Sequence, residues 1–319
     1  MKRVIVTGAT GFVGANLTRR LLTDGHEIHL LVRERHQSWR IEAVKADVHL
    51  HSVEMTDGEA LARVVARIRP DWVFHLSAHG AYSWQSDLQG MVRTNILGTI
   101  NLVEACLKTG FERFVNAGSS SEYGYKDHAP SETERLEPNS YYAVTKASAT
   151  MFCRYTAQLR GVPLVTLRFY SVYGPYEDPR RLIPTLVVNG RVGRLPPLVN
   201  PDVARDFVYV GDAVEACRLA AARPEPAPGA VYNVGTGTQT SIREVTAVAC
   251  RVMGITVAPQ WGSMPDRAWD TSVWVADNRA IRSALGWEPR YGFADGFRET
   301  VQWFRDHPEL MAVYARNSG

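Results

Sequence analysis

The chain opens with a β-branched run, Arg3 to Thr7, that passes straight into Gly8-Ala9-Thr10-Gly11-Phe12-Val13-Gly14 and then into a stretch with helical spacing. Three glycines spaced in this way between a strand and a helix predict a dinucleotide-binding turn. Gly8 permits the tight turn, Gly11 lets the backbone approach a pyrophosphate, and Gly14 lets helix and strand pack closely. Amides near Phe12 and Val13 would then face phosphate oxygens at the positive end of the helix dipole. The tip of the second strand helps to choose the dinucleotide. Leu31-Val32-Arg33-Glu34-Arg35 has no acid where an NAD site usually places one for the ribose hydroxyls. The Arg33 guanidinium suits a 2′-phosphate, which favours NADP. NAD stays possible if Arg33 is a solvated loop residue and Glu34 takes the ribose. Glu54 and Met55, after the third strand, are placed to flank the adenine.

Short apolar segments at Arg3 to Thr7, Glu27 to Val32, His49 to Val53, Trp72 to Leu76, Arg113 to Asn116 and Leu164 to Phe169 read as buried strands. Helical spacing fills the intervals Phe12 to Thr23, Glu59 to Arg67, Thr94 to Lys108 and Tyr142 to Leu159. The alternation predicts an α/β fold, a doubly wound parallel sheet with helices on both faces. After Phe169 the rhythm breaks into Pro-rich loops and shorter elements. The expected division is a dinucleotide-binding domain over 1–170, to which a segment of about 205–235 returns, and a smaller substrate-binding region built from about 171–204 and 236–319.

Composition excludes several roles. Hydrophobic content of 45% and charged content of 22% fit a soluble globular chain, and no apolar run is long enough to cross a bilayer, so no membrane role is expected. MKRVIVTGAT lacks the pattern of a secretory signal, and the expected location is cytoplasmic. Net charge is +3 with arginines scattered along the chain, which argues against nucleic acid as a partner. Cys106, Cys153, Cys217 and Cys250 show no CxxC and no cysteine-histidine ligand spacing, so no metal site is expected.

Tyr142 and Lys146 stand four residues apart in SYYAVTK. In a helix that is about one turn, so phenol and ammonium share a face and can address one reacting group. A tyrosine near its ordinary pKa of ~10 is a poor acid or base at neutral pH, and an adjacent cation favours the phenolate. Lowering that value by ~3 units requires roughly 4 kcal/mol. Spacing alone is equally compatible with an ordinary surface pair.

Together with Gly118-Ser119-Ser120-Ser121-Glu122-Tyr123-Gly124 at the end of a strand, these motifs resemble the extended short-chain dehydrogenase/reductases that act on nucleotide sugars. The resemblance runs on through TNILGT with Asn95, LRFYSVYGP from Leu167, RDFVYVGDA from Arg205, YNVGTG from Tyr232 and LGWEPR from Leu285. It implies a Rossmann-type fold with a smaller C-terminal α/β substrate-binding region. It also implies a catalytic set of Ser119, Tyr142 and Lys146, with Ser120 the alternative hydroxyl. Ser119 would hydrogen-bond the sugar oxygen, Tyr142 would exchange its proton, and Lys146 would hold the nicotinamide ribose and depress the tyrosine pKa. Thr10, the tips Leu76-Ser77-Ala78 and Phe169, and Asn95 would complete the cofactor site. Asn95 would organise a helix kink or a water near Lys146, or serve as a structural cap. On the substrate side the resemblance points to Arg205 and Arg267 for a diphosphate, Arg180 or Arg181 as a further candidate, and His79, Ser120 and Ser171 near the sugar. Tyr82 and Trp84 line that side or pack in the core. Ser171 stands where many members have asparagine, and Trp269 where a glycine is usual. The implied partners are a nucleoside-diphosphate sugar and a second copy of the chain, joined through the helices Thr94 to Lys108 and Tyr142 to Leu159.

Such a scaffold hosts dehydratases, epimerases and ketoreductases, so fold does not choose the reaction. Dehydratases of this kind carry an Asp-Glu pair directly after the catalytic hydroxyl, where this chain has Ser120 and Ser121. Arg33 and the run YSVYGPYEDPRRLIP tilt the expectation to NADPH-dependent reduction of the C4 keto group of a nucleoside-diphosphate 4-keto-6-deoxyhexose. The alternative is an NAD-dependent 4-epimerase. A non-catalytic NADP(H)-binding regulator is disfavoured because Ser119, Tyr142 and Lys146 are all retained.

Overall fold

Each strand of the central sheet divides its side chains between two cores. In β1 (Arg3–Thr7), Val4 and Val6 pack on one side of the sheet and Ile5 on the other, as the two-residue strand period dictates. The computed structural model describes residues 1–82, 84–223, 227–264 and 271–316. After β1 come α1 (Phe12–Thr23), β2 (Glu27–Val32), β3 (His49–Ser52), α2 (Gly58–Ile68), β4 (Trp72–His75), α3 (Leu88–Met91), a π-helical turn (Val92–Leu97), α4 (Gly98–Thr109) and β5 (Arg113–Ser119). A 3₁₀ turn (Ser120–Tyr123), α5 (Tyr141–Arg160), β6 (Leu164–Phe169), β7 (Ser171–Tyr173), α6 (Leu182–Gly190), β8 (Ala204–Arg205), β9 (Phe207–Tyr209) and α7 (Val210–Ala222) follow. The chain closes with β10 (Val231–Val234), β11 (Thr240–Ser241), α8 (Ile242–Met253), α9 (Arg279–Leu285), α10 (Phe293–Asp306) and α11 (Met311–Ala315).

The main sheet has the order β10-β6-β5-β4-β1-β2-β3 and is parallel throughout. This is the Rossmann-type doubly wound fold that the strand–helix alternation predicts. Leu17 and Leu21 of α1, Cys217 of α7 and Leu285 of α9 cover one face; Leu61 of α2, Leu102 of α4 and Cys153 of α5 cover the other. Strand order reverses between β1 and β4, which opens a crevice at the carboxyl ends of the strands. A third core joins α6, α8, α10 and α11 through Leu186, Val245, Phe297 and Tyr314. Buried Asp206, between β8 and β9, binds this region to the sheet. Its carboxylate accepts from the amides of Thr236 and Gly237, just past β10, and from the amide of Ala276.

Two elements depart from the sequence-based reading, and both shape the site. β5 continues beyond Asn116 to Ser119, with Gly118 opposite Arg168 and Ser119 opposite Phe169 of β6. Ala117-Gly118-Ser119 lacks β-branched residues, yet a Cβ on Gly118 would lie 2.8 Å from the Thr166 side chain, so only glycine lets the strands stay paired. The helix expected from Thr94 starts at Leu88 and contains the π turn.

His75 pins β4 between its neighbours. Thr99 gives its hydroxyl proton to the Asn95 carbonyl, so His75 Nε2 carries a hydrogen and donates to Thr99, while Nδ1 accepts from Thr7. That tautomer is neutral and buried. Burial, helped by Lys146, pushes the ring down to about 3. An unfolded histidine protonates near ~6.5, so stability held by the neutral ring is complete above that value and is lost as pH falls towards 3. Urea unfolding should lose about 2–3 kcal/mol from this group between pH 6.5 and 4.5. A His75→Gln variant should show a pH slope shallower by about one proton; an unchanged slope would exclude His75 as its source.

Candidate active site

The strand tips bring the predicted residues to one edge of the sheet. Gly8 to Gly14 follow β1, Arg33 follows β2, Glu54 and Met55 follow β3, Leu76 to His79 follow β4, Ser119 ends β5 and Ser120 opens the 3₁₀ turn after it, and Phe169 and Ser171 flank the end of β6. At the glycine turn the backbone is crowded. Gly8 has φ 71°, and a Cβ there would lie 2.6 Å from the Leu76 carbonyl and the Ser77 nitrogen. A Cβ on Gly14 would come within 2.3 Å of the Gly8 oxygen. Gly11 starts α1 with no side-chain cap, leaving the first-turn amides to a ligand. A cradle of bare backbone at a helix start fits a dinucleotide pyrophosphate. Arg33 and Glu54 are exposed, and Asn101 of α4 donates 2.9 Å to the Met55 carbonyl.

Ser119, Tyr142 and Lys146 meet at the end of β5. Ser140 caps α5 by accepting from the Ala143 amide, which sets Tyr142 and Lys146 in its first turns. The Ser119 hydroxyl stands beside the Tyr142 phenol. Burial pushes the phenol up to about 12, the Ser119 hydroxyl opposes that, and Glu122 and Tyr82 add to it. Buried Lys146 donates 2.5 Å to the Ala117 carbonyl rather than to the phenol; burial draws its pKa down, against the pull of Glu122. In the protein alone, then, the phenol stands above its ordinary value.

Glu122 explains why Ser119 is held so firmly. Its wholly buried carboxylate accepts from the Ser119 amide (2.8 Å), the Thr150 hydroxyl of α5 (2.9 Å) and Arg168 Nε of β6 (2.8 Å). Ser119-x-x-Glu122 is a capping box, a pattern visible in the sequence that marks this carboxylate as a brace. Arg168 then donates to the Tyr123 hydroxyl, which donates to Asn233 of β10.

Asn95 sits inside the π turn, not at a helix start, so the cap reading fails. Its side chain accepts from the His79 amide and donates to the His79 carbonyl, each at 2.8 Å, and to Thr145 Oγ1 at 2.9 Å. It thus ties the loop after β4 to α5 between Tyr142 and Lys146. His79 Nε2 is buried without a hydrogen-bond partner.

On the other wall, Tyr82 and Trp84 stack with ring centroids 4.8 Å apart. The Arg180 guanidinium lies 3.6 Å over Trp84 and forks onto Asp178, while Arg181 lies 3.6 Å from buried Glu177. Both arginines pair with protein carboxylates and keep part of their side chains in solvent. Trp274, which the sequence did not single out, links two candidates. Its Nε1 donates to Ser120 Oγ at 3.1 Å, and its ring faces Arg205 at 5.4 Å. Arg205 also donates to the carbonyls of Ala204 and Thr271. The Ser171 amide donates to the Asp206 carbonyl. Arg267 and Trp269 lie outside the described residues.

This arrangement has known counterparts. The chain is 31% identical to the UDP-glucose 4-epimerase of Mycolicibacterium smegmatis, over 95% of this chain and 99% of that one. It is 28% identical to the dTDP-glucose 4,6-dehydratase of Neisseria meningitidis serogroup B, over 96% and 94%. Among solved structures, the UDP-glucuronic acid 4-epimerase of Bacillus cereus in complex with UDP-glucuronic acid and NAD superposes with a TM-score of 0.84 at 25% identity, covering 95% of this chain and 99% of that one. The model of the NAD dependent epimerase/dehydratase family matches residues 4–235, and the chain, with its glycine turn and its Ser-Tyr-Lys cluster, belongs to that family of extended short-chain dehydrogenase/reductases.

Proposed function

We propose that the protein oxidises or reduces C4 of a nucleoside-diphosphate hexose, with Tyr142 as the proton-exchanging group. The observation that carries this reading is the convergence of Ser119, Tyr142 and Lys146 at the end of β5, with Lys146 one turn of α5 beyond Tyr142 and donating to Ala117 of that strand, and Ser119 held by Glu122. Elimination of water from the sugar needs an acid–base pair beside the catalytic hydroxyl. Ser120 and Ser121 occupy those positions, and Glu122 is saturated by Ser119, Thr150 and Arg168, which disfavours a dehydratase.

A bound nicotinamide dinucleotide supplies or accepts the hydride at C4. The residues of the chain manage the oxygen. Ser119 hydrogen-bonds the C4 oxygen, and Tyr142 passes a proton to it on reduction or takes one on oxidation. A phenol pushed up to about 12 by burial carries its proton at neutral pH. Lys146 holds the nicotinamide ribose; the bare turn Gly8, Thr10, Gly11, Phe12, Val13 and Gly14 holds the pyrophosphate; Leu76, Ser77, Ala78 and Phe169 line the nicotinamide side. Arg205 and Arg267 meet the diphosphate, with His79, Ser120, Ser171 and Arg180 around the sugar.

Direction and cofactor go together. Exposed Arg33 at the β2 tip supports NADP and net reduction of a 4-keto-6-deoxy sugar. The likeness to 4-epimerases supports the second reading, a retained NAD that returns its hydride to the same sugar. We also place a homodimer on α5. Tyr141, Val144, Met151, Tyr155 and Leu159 form an exposed apolar stripe at helical spacing, and Leu88, Val92 and Leu97 are exposed on the preceding helical run.

Tyr142→Phe should keep dinucleotide affinity and lower kcat for C4 turnover by about 10²- to 10⁴-fold; undiminished turnover removes Tyr142 from the mechanism. Denaturing the purified protein and identifying released dinucleotide separates the two readings: stoichiometric NAD without NADPH-dependent turnover of a 4-keto sugar selects the epimerase. Under the reductase reading, Arg33→Asp should weaken NADPH binding about 10- to 100-fold, the worth of one charge-assisted hydrogen bond. In light scattering the native protein should have twice the protomer mass and a Met151→Glu/Tyr155→Glu variant the protomer mass; a wild-type monomer rules out the dimer.

A further inference from the structure

At the outer edge of the sheet, far along the strands from the glycine turn, four donors share one face. β2 and β3 run parallel with His29 opposite His49 and Leu31 opposite His51, so the pleat turns Glu27, His29, His49 and His51 to the same side. Glu27 Oε1 lies 3.0 Å from His29 Nε2 and 3.8 Å from His49 Nε2. One donor atom from each of these three residues lies within 4.8 Å of the others. The rings of His29 and His49 stack at 4.8 Å, and His29 Nδ1 is 3.0 Å from His51 Nε2.

We propose that Glu27, His29 and His49 bind a divalent transition-metal ion of the zinc class, with His51 orienting His29. Imidazole and carboxylate donors bind Zn²⁺ at about 2.0–2.2 Å, which in a tetrahedral site sets them roughly 3.3 Å apart. The Glu27–His29 pair stands at 3.0 Å and has to open by about 0.3 Å. His49, whose side chain is 61% exposed, needs to move about 0.5 Å toward Glu27 and turn out of its stack with His29 to join them, and a water completes the four ligands.

The hydrogen bond behind His29 fits the same role. A ring that gives Nε2 to a metal keeps its proton on Nδ1 and passes it to a second group, and His51 Nε2 stands ready to accept. Cysteine spacing gave no hint of such a site because the donors come from two strands at the pleat period. β3 is the last strand of the sheet and pairs with β2 alone, so an ion here would clip the edge in place.

The test uses tag-free, chelator-treated full chain titrated with Zn²⁺, read by calorimetry and by thermal unfolding. One Zn²⁺ per chain and a rise in Tm of a few degrees are expected. His49→Asn and Glu27→Gln should abolish both effects, and His51→Ala should weaken binding about 10- to 100-fold. His128→Asn, at an exposed histidine elsewhere, should change neither. Wild-type protein that takes no zinc at micromolar concentration, or a His49→Asn variant that binds as the wild type does, overturns the proposal.

Discussion

A single buried carboxylate organises the reactive end of this molecule. Glu122 is wholly enclosed and takes hydrogen bonds from the last residue of β5, from the middle of α5 and from β6. Bringing two charges out of water costs several kcal/mol per ion, and only good geometry with every lone pair engaged offsets it. Both oxygens of Glu122 are engaged, and Arg168 also donates to Tyr123, which donates to Asn233. Strand, helix and the neighbouring strand therefore cannot shift independently. Ser119 and Tyr142 inherit their mutual position from that network, which ties a hydroxyl on a strand to a phenol on a helix.

The same carboxylate also narrows the chemistry. An acid that is to shuttle protons in a dehydration must reach the substrate, and Glu122 is wholly buried with its carboxylate turned to Ser119, Thr150 and Arg168. Family membership leaves epimerisation, reduction and dehydration all available on one scaffold. In this chain two serines follow Ser119, and Glu122 is turned inward.

Much of this was legible in the chain. β1, β2 and β6 occupy the residues that their β-branched runs mark, and the glycine turn predicts both the parallel sheet and the bare backbone at the start of α1. What escaped has a common physical cause: contacts made across large sequence separations. The extension of β5 through Ala117-Gly118-Ser119 rests on pairing with β6, which local propensity does not register. Trp274 reads as one aromatic among many until it reaches Ser120, 154 residues away. Arg180 and Arg181 looked like loop cations because the aromatic pair Tyr82 and Trp84 lies on a distant segment. Glu122 was the exception, since its capping-box spacing was local and available, but its partner Arg168 was not.

The π turn at Val92–Leu97 has a consequence of phase. It holds one residue more than an α-helix needs, so the helix beyond it is rotated by about a quarter turn relative to the helix before it. Leu88 ahead of the turn and Val92 at its start look outward, while Leu102, Val103 and Cys106 behind it enter the core. On an unbroken helical wheel these residues would share one face, and the turn divides them between two. A relative lacking one residue in this stretch would keep both faces only by turning its Asn95 equivalent away from the tyrosine helix; a one-residue gap there would be a change in the grip on the active site, not a neutral trimming of a helix.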